Sequence, residues 1–463
     1  MPPLLQPAKS LDDLHKTLSP RPLITPEELD AFYRSQVNQV RGGDIVQRLE
    51  LELRRAFGAL HYKVFLMSHP GVGKSTELSR LIQHVDNQYR AIRFSATADL
   101  DPTNVKPFDI VLLMMIRLAE EAAKPVAEGG AGTPPSEAVL REIWDWFATE
   151  SVLRTRTTGV GVEAAAGAES GIGWAKVLSL FARVKGEMRF TSDRKQQVVE
   201  YRLSRLSSLI DLANRLLDEA NAKLRGASDR EWVFIGEDFD KPGIPPEIVE
   251  DLFLNYANVF ELLRTHLIFT IPIALGYSQR GVRLPCPTQS IPDTPVYDPS
   301  QEPHAEGRAA LRAVLEARVD PQLFADHQME RLIVASGGNL RDLFAAVREA
   351  GLQASLRGPS HRQIGREDTD AAINMLRLEY TRRLGESPYD AEPVPYDEKA
   401  KRLVAVYQND PNVAVPDRVL YSLLRSRTVQ EFNGKGRFGV PPLVVDILKS
   451  QGRLPEDAAG GII

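Results

Sequence analysis

The chain has 463 residues, a length that predicts roughly two to four domains. Apolar residues make up 43% and charged residues 26% of the sequence, a globular composition that excludes wholesale disorder. The 57 basic and 62 acidic side chains leave a net charge of −5, so contact with nucleic acid would require a local basic patch. The single cysteine, Cys286, excludes an intrachain disulfide framework. No apolar run reaches the roughly 18 residues of a membrane span. We therefore expect a cytoplasmic protein without a membrane partner.

The predicted elements begin with a Pro-rich leader over residues 1–37 and a helix near 44–57. A strand over 61–67, a helix from Lys74, a strand over 91–96 and a helix over 108–123 follow in alternation. Strands that alternate with helices are typical of a parallel sheet. The sequence therefore predicts an α/β fold in which helices flank a parallel sheet.

The central part of the chain predicts a largely helical insertion, about 125–225, before two more strands at 231–235 and 267–273. Its last helix, over 195–224, carries an apolar stripe that is either a partner-binding seam or a face packed on its own domain. A long Pro-rich loop is expected over 278–303. The core domain is thus predicted over residues 38–303.

The C-terminal third predicts helices at 305–318, 322–335, 339–356 and 367–384, which we assign to a helical lid over 304–385. A linker near 386–395 then opens a C-terminal module, residues 386–463. Within it we expect two helices, a β-hairpin with strands at 428–433 and 437–440, and a final helix after Pro441.

The strongest chemical signal is a phosphate loop, residues 68–76, that joins the first predicted strand to a helix. It reads Ser68-His69-Pro70-Gly71-Val72-Gly73-Lys74-Ser75-Thr76. The two glycines let backbone N–H groups turn toward phosphate oxygens, and the helix N-terminus adds the positive end of its dipole. The sequence therefore predicts a nucleotide site that is built from all nine residues.

Single positions in this loop have distinct expected roles. Lys74 can reach the terminal phosphates, Ser75 is placed to coordinate Mg²⁺, and Thr76 lies one residue deeper in the helix. Ser68 occupies the first glycine of the GxxxxGK[ST] pattern, where a small residue can open the turn. We expect His69 to be a solvent-facing spacer.

An acidic segment follows the third predicted strand, where Glu237, Asp238 and Asp240 end the run that begins at Trp232. A phosphate loop needs a carboxylate near Mg²⁺ and a group that orients the attacking water. We assign Glu237 to the metal, largely through water, and Asp238 to the attacking water. Because Asp-Glu is the commoner order in such segments, these two roles could be exchanged.

Together with Ser336-Gly-Gly-Asn-Leu-Arg-Asp-Leu343, these segments resemble an AAA+ or STAND-type P-loop ATPase. Glu237-Asp-Phe-Asp-Lys241 is similar to the DDLDR-like signature of KAP-type NTPases. The 336–343 segment resembles the lid of initiator-type, origin-recognition-like AAA+ ATPases, whose second sensor arginine would here be Arg341. Val40-Arg41-Gly-Gly-Asp-Ile45 resembles the linker that wraps adenine in those proteins, which implies ATP as the nucleotide.

The resemblance also implies two catalytic elements, a first sensor residue and an arginine finger, for which this sequence offers no clear match. The first sensor is normally a polar residue, often Asn, after the fourth strand, and here only Thr270 is offered, so hydrolysis is expected to be slow. An arginine finger from a neighbouring subunit would imply a homo-oligomer. Four arginines are candidates that no spacing distinguishes: Arg264, Arg280, Arg283 and Arg318.

Arg341 is also informative without the resemblance. An arginine in the first turn of a helix opposes the usual dipole preference for acidic side chains. The sequence leaves two interpretations open for it: a bound anion near this turn, or an exposed arginine that pairs with Asp342 or Glu349.

The C-terminal module has the element order of a winged helix, which initiator-type ATPases often carry. Four basic side chains cluster around its hairpin and could grip the phosphates of DNA: Arg425, Arg427, Lys435 and Arg437. No helix with base-reading side chains is evident. A protein-binding module or an intramolecular clamp is the alternative.

Two functions from different classes remain at this point. One is an ATPase that assembles on nucleic acid and hydrolyses ATP with Mg²⁺. The other is a STAND-like signalling switch, conceivable in bacterial antiviral defence, that hydrolyses ATP slowly, gates a protein effector and does not bind DNA directly.

Overall fold

The structure is a computed structural model that describes residues 5–158, 176–177, 179, 205–241, 243–281, 284–358, 360–387, 390, 392–432 and 436–455. The predicted small-residue stretch 159–175, the predicted helical residues 195–204, Arg283 and Lys435 lie outside this range. The chain groups into two compact units. Unit one comprises Met1–Glu52, Phe65–His84 and Thr270–Ile463, and unit two comprises Leu53–Val64 and Val85–Phe269.

The central element is a five-stranded sheet with the strand order β2-β3-β4-β1-β5. Its strands are β1 (Lys63–Ser68), β2 (Tyr89–Ser95), β3 (Glu231–Glu237), β4 (His266–Pro272) and β5 (Thr288–Ser290). The pairings of β2 with β3, β3 with β4 and β1 with β5 are parallel. All seven residues of β3 are buried, as expected for a parallel strand that is covered on both faces. The predicted α/β class with a parallel sheet flanked by helices is confirmed.

Strand β5 corrects the expectation of an irregular loop over 278–303. Its three residues, Thr-Gln-Ser, show no apolar alternation, so the sequence carries no strand signal there. The strand forms because backbone bonds to β1 hold it: the N–H of Phe65 donates to Pro287 O at 2.9 Å and the N–H of Ile291 donates to Met67 O at 2.8 Å.

Helices account for most of the other described residues. In chain order the α-helices are α1 (Leu14–Thr17), α2 (Pro26–Phe32), α3 (Gln36–Val40), α4 (Ile45–Ala56), α5 (Lys74–Val85), α6 (Ala96–Asp99), α7 (Pro107–Ala123), α8 (Glu137–Thr158), α9 (Leu206–Ser228), α10 (Pro246–Glu250), α11 (Asn258–Leu262), α12 (Ile273–Gly276), α13 (Ala305–Glu316), α14 (Gln328–Ala335), α15 (Leu340–Leu356), α16 (Arg366–Leu384), α17 (Tyr396–Tyr407), α18 (Arg418–Ser426) and α19 (Pro442–Ser450). Within the described residues, no helix is both long enough and apolar enough to cross a membrane.

The apolar stripe of α9 packs inside unit two, against α7 and β3. Its described members, Leu206, Ile210, Ala213 and Leu217, are all buried. The interpretation of this helix as packed on its own domain is therefore confirmed for the residues that the structure describes.

In unit one, the helix predicted over 322–335 is shorter than expected. A 3₁₀ turn, Pro321–Leu323, precedes α14, which begins only at Gln328. Between them Phe324 is extended and forms a bridge with Ile364, and the N–H of Ala325 donates to the carbonyl of Ile364 at 3.0 Å. Asp326 and His327 then form a turn before the helix. A tertiary backbone bond thus replaces the predicted first turns.

The C-terminal module folds in the predicted element order. Helices α17 and α18 precede an antiparallel hairpin of β6 (Gln430–Phe432) and β7 (Arg437–Gly439), and α19 follows it. The order of helix, helix, hairpin and helix is as the sequence predicted.

A buried histidine in unit two predicts loss of stability in acid. The Nε2 of His266 donates to Glu231 Oε2 at 2.9 Å, and its Nδ1 accepts from the N–H of Tyr62 at 3.1 Å. Burial lowers the pKa of His266 from 6.5 to about 4, with further lowering by Lys63 and Arg225. The unfolded chain therefore takes up this proton first, and stability falls as the pH drops from about 6.5 to about 4. From pH 7.5 to 5 we expect this group to reduce the free energy of unfolding by about 2 kcal/mol.

Denaturant unfolding of the wild type and of His266→Gln at both pH values measures this effect. The wild type should lose more stability between the two pH values than the variant, which has no titrating group there. Equal losses would show that His266 does not resist protonation in the folded state.

Candidate phosphate-binding site

The phosphate loop lies between the end of β1 at Ser68 and the start of α5 at Lys74. Gly71 has a φ of +98° and Gly73 a φ of +106°, in the region that only glycine adopts without strain. A Cβ at Gly71 would also collide with the Asn339 side chain and with Cβ of Arg341. This glycine is therefore required both for the turn and for the approach of α15.

The carbonyl groups of the loop are held by donors from elsewhere in unit one. Pro70 O accepts from Asn339 Nδ2 at 3.1 Å and from Arg427 Nη1 at 2.9 Å. Gly71 O accepts from the N–H of Arg341 at 3.3 Å. Two consecutive carbonyls thus point toward the helix that begins after Asn339.

The orientation of these carbonyls determines the orientation of the neighbouring N–H groups. No described peptide bond is cis, and in a trans peptide the C=O and the following N–H point in opposite directions. The N–H groups of Gly71 and Val72 therefore point away from the Asn339 side chain and from the backbone N–H of Arg341. Neither these two nor the N–H of Gly73 has an acceptor among the described residues. Clustered N–H donors at a helix N-terminus fit the oxygens of a phosphate chain.

Lys74 is held against its own loop. Its Nζ donates to Ser68 Oγ at 2.6 Å and to His69 O at 3.1 Å, and the residue is 8% exposed. Ser68, which stands in the first glycine position of the pattern, thus supplies a hydroxyl that holds the lysine. Ser75 is half-buried in the first turn of α5. Thr76 Oγ1 accepts from the N–H of Leu23 at 3.2 Å.

The prediction that His69 faces solvent is wrong. The residue is 3% exposed; its Nδ1 lies 2.8 Å from Asp293 Oδ2 and its Nε2 lies 3.1 Å from the carbonyl of Leu424. One partner lies just after β5 and the other on α18. His69 therefore connects the phosphate loop to the end of α18.

Asn339 and Asp293 are site residues that the sequence analysis missed. Asn339 Oδ1 caps α15 by accepting from the N–H groups of Arg341 and Asp342, while Nδ2 donates to Pro70 O and to Asp293 Oδ1. An N-cap signal, Gly-Gly-Asn before a helix, was present for Asn339. Burial alone would raise the pKa of Asp293, but hydrogen bonds from His69 and Asn339 and the charge of Arg427 bring it below its ordinary value.

Arg341 lies beside the loop in the first turn of α15. Its side chain is exposed and makes no ion pair or hydrogen bond with a described residue. The pairing that the sequence left open is wrong, because Asp342 binds Arg427 and Glu349 accepts from Gln353. An unpaired cation next to Gly71 fits the alternative of a bound anion.

The predicted adenine-linker residues lie in the N-terminal part of unit one. Val40 is half-buried at the end of α3. Arg41 is 5% exposed, and its Nε donates to Thr294 Oγ1 at 3.0 Å. Its Nη2 is buried without a hydrogen-bond partner among the described residues. Burial lowers the pKa of Arg41, and the negative charges of Asp293 and Glu77 oppose that effect.

The acidic residues lie at the end of β3 in unit two. Glu237 is 7% exposed, and Arg93 donates to its Oε1 from Nε at 2.7 Å and also from Nη2. Asp238 has a φ of +72° and is half-buried. Its Oδ2 accepts from Ser95 Oγ at 2.5 Å and from Lys241 Nζ at 2.9 Å. Both carboxylates are therefore held in defined orientations by neighbouring donors.

A three-ligand metal cluster is not formed by His, Cys, Asp or Glu within the described ranges. A Ser hydroxyl together with a carboxylate is nevertheless the hard-oxygen donor set that suits Mg²⁺ when nucleotide phosphates supply further ligands. The hydroxyl of Ser75 and the carboxylate of Glu237 are each oxygen donors of a kind that Mg²⁺ binds.

Of the four basic residues predicted to hold DNA, three lie within the described residues, and one of these, Arg427, is largely buried. Arg427 is only 11% exposed at its side chain and is bound to Asp342 and to Pro70 O. It is therefore not available to a DNA phosphate, which corrects the prediction for this residue. Arg425 lies 3.8 Å from Asp390, Arg437 is exposed, and Lys435 is outside the described residues.

Among the candidate arginine fingers, Arg318 is buried. It is 6% exposed, donates to Phe32 O at 2.8 Å and stacks on the rings of Phe32 and Phe344. Burial lowers its pKa to about 9. Arg318 is therefore held inside unit one by its backbone and ring contacts. Arg264 pairs with Asp218, and Arg280 is exposed.

Comparison with known proteins finds no family model that matches the chain and no curated protein that matches it. Two similar solved structures are Cdc6p from Pyrobaculum aerophilum and a Walker-type ATPase of Pyrococcus abyssi. The first is 9% identical, over 94% of this chain and 98% of that chain, with a TM-score of 0.38. The second is 13% identical, over 94% of this chain and 99% of that chain, also with a TM-score of 0.38. Likeness at this level establishes neither a family nor an activity.

Proposed function

We propose that the protein is a P-loop ATPase that binds ATP with Mg²⁺ in the phosphate loop and hydrolyses it slowly. The observation that carries this proposal is the loop geometry. Asn339, Arg341 and Arg427 hold two of its carbonyls, those of Pro70 and Gly71, on one side. The N–H groups of Gly71, Val72 and Gly73, which have no acceptor among the described residues, are then available to phosphate oxygens. The sequence pattern and the start of α5 at Lys74 agree with this geometry.

Each proposed role follows from the chemistry of the residue. Lys74, freed from Ser68, would bind the terminal phosphates, and Arg341 would bind the terminal phosphate from the lid side. Ser75 and Glu237 would hold Mg²⁺, which neutralises phosphate charge when bound. Asp238 would orient the attacking water, because Ser95 and Lys241 hold its carboxylate in one orientation. Adenine recognition by Val40 and Arg41 rests on the resemblance of that segment to the adenine linker.

For the partner, a specific observation favours the signalling switch over assembly on DNA. Arg427, which precedes the hairpin's first strand, binds Pro70 O and Asp342 inside unit one and is not displayed at the surface. We therefore propose that the C-terminal module transmits the nucleotide state to a protein effector. A homo-oligomer and a nucleic-acid contact through Arg425, Lys435 and Arg437 remain part of the alternative, the AAA+-like assembly.

One set of measurements tests this proposal. Binding of fluorescent ATP and GTP analogues, phosphate release with Mg²⁺, and molar mass by light scattering are recorded with and without duplex DNA. We expect tight, Mg²⁺-dependent ATP binding, slow release of phosphate and no change on addition of DNA. Stimulation of hydrolysis and growth of the complex on DNA would favour the assembly instead, and absence of nucleotide binding would reject both.

A further inference from the structure

The C-terminal module contributes a side chain to the outer face of the phosphate loop. Arg427 Nη1 donates to Pro70 O at 2.9 Å, while Nη2 donates to Asp342 Oδ1 at 2.8 Å and Oδ2 at 2.5 Å. One planar guanidinium thus joins three parts of unit one: the module, the loop and the first turn of α15. Arginine suits this role because its fixed fork of donors can bind two different acceptors at once.

The backbone at Arg427 supports a specific role for this side chain. The residue follows the last turn of α18 with a φ of +59°, in the left-handed conformation. Glycine or asparagine is the usual residue at such a helix end. A residue with a Cβ remains in this conformation when its surroundings determine it. At Arg427 those surroundings are the carboxylate and the carbonyl that its side chain binds.

The charges around Arg427 are balanced within unit one. Its burial would lower the pKa of the guanidinium, but Asp342 and Tyr380 raise it above its ordinary value. Tyr380 donates to Asp342 Oδ2 at 3.1 Å, so the carboxylate is oriented from a second side. The arginine is therefore charged and fixed in place.

Two further contacts join the module to the same region. His69 Nε2 lies 3.1 Å from the carbonyl of Leu424, and Gln430 Nε2 donates to the carbonyl of Gly337 at 2.8 Å. Together with the Arg427 bonds, these contacts join the module to His69 and Pro70 of the loop and to Gly337 and Asp342 around the start of α15. Docking of the module and the shape of the loop are thus coupled through adjacent bonds.

We infer that Arg427 is a positioning residue for the phosphate loop, and that the docked C-terminal module pre-organises this loop for the nucleotide. This inference rests on the proposed function. With Asn339, Arg427 holds the Pro70 carbonyl away from the phosphates, and the N–H of Gly71 then points toward them. Because coupling between two equilibria is reciprocal, bound nucleotide must in turn favour the docked module.

The first test compares ATP affinity in three variants of the full chain. Arg427→Ala should weaken binding of a fluorescent ATP analogue about tenfold, since a hydrogen bond from a charged donor is lost. Arg427→Lys keeps the positive charge but loses the paired donors of the guanidinium. Its ATP affinity should therefore lie between those of the wild type and of Arg427→Ala. Arg402→Ala is the matched control: this arginine also binds one carbonyl, of Val413, and one carboxylate, of Asp417, but both lie within the module. Its ATP affinity should equal that of the wild type.

The second test uses amide hydrogen exchange to measure the reciprocal effect, that of bound ATP on docking of the C-terminal module. ATP should slow amide exchange in α18 of the wild type, and the slowing should be lost in Arg427→Ala at saturating ATP. If Arg427 only stabilised the fold, Arg427→Ala would lower the free energy of unfolding, but ATP would still slow amide exchange in α18. Equal or tighter ATP binding by Arg427→Ala, or ATP-independent exchange in α18 of a wild type that binds ATP, would overturn the inference. A wild type that binds no ATP would instead reject the proposed function.

Discussion

Replacement of Lys74 with alanine is expected to weaken ATP binding at least about 100-fold. The lysine would make charge-assisted hydrogen bonds to the terminal phosphates, and each such bond contributes about 1.5–3 kcal/mol. Two lost bonds of about 1.5 kcal/mol already correspond to more than 100-fold in the dissociation constant. Titration of a fluorescent ATP analogue measures the loss directly.

The local structure makes this test specific. Lys74 binds Ser68 Oγ and His69 O within its own loop, so its replacement removes a donor from these two groups and leaves the β1–α5 backbone in place. The thermal midpoint should therefore change little, and circular dichroism provides the check on folding. Lys401→Ala, which removes an exposed lysine of α17, is the control for the change in net charge. Unchanged ATP affinity in Lys74→Ala would reject the assignment of the phosphate loop.

Replacement of Asp238 with asparagine is expected to leave ATP binding intact and to reduce phosphate release about 100-fold or more. Groups that orient or deprotonate the attacking water contribute typically 10²–10⁴-fold to such reactions. Asparagine is the right replacement because it tolerates the left-handed backbone of this position, where φ is +72°. Its side-chain oxygen can still accept from Ser95, so the change removes the charge rather than the local structure.

Glu237→Gln distinguishes the two acids. If Asp238→Asn releases phosphate at the wild-type rate and Glu237→Gln releases it far more slowly, then Glu237 orients the attacking water and Asp238 serves the metal. If neither variant is impaired, the acidic segment after β3 does not serve the reaction. Because Arg93 binds Glu237, loss of that carboxylate should also lower the thermal midpoint, whereas Asp238→Asn should not do so to the same extent.

The phosphate loop was predictable because its signal is local. A strand ends at Ser68, two glycines permit the left-handed turn, and a helix begins at Lys74, all within a few consecutive residues. The same holds for the element order of the C-terminal module. In each case neighbours in the chain determine the backbone conformation, and their preferences can be read from residue types.

The partners of the loop could not be predicted in this way. His69 looks like a surface spacer in the sequence, but it binds Asp293 at a separation of 224 residues and Leu424 at 355. Arg427 looks like part of a basic patch, but it binds Pro70 at a separation of 357 residues. Strand β5 is a similar case, since its three polar residues form a strand only because β1 is beside them.

The parallel α/β core, the glycine-containing turn between β1 and α5 and the order of the C-terminal elements could thus be inferred from residue types alone, because each depends on the conformational preferences of adjacent residues. Only the tertiary structure decided which side chains surround that turn and that Arg427 faces inward. Hydrogen bonds between residues hundreds of positions apart depend on how the chain packs, and a charged side chain reads the same in sequence whether it meets solvent or a buried carboxylate.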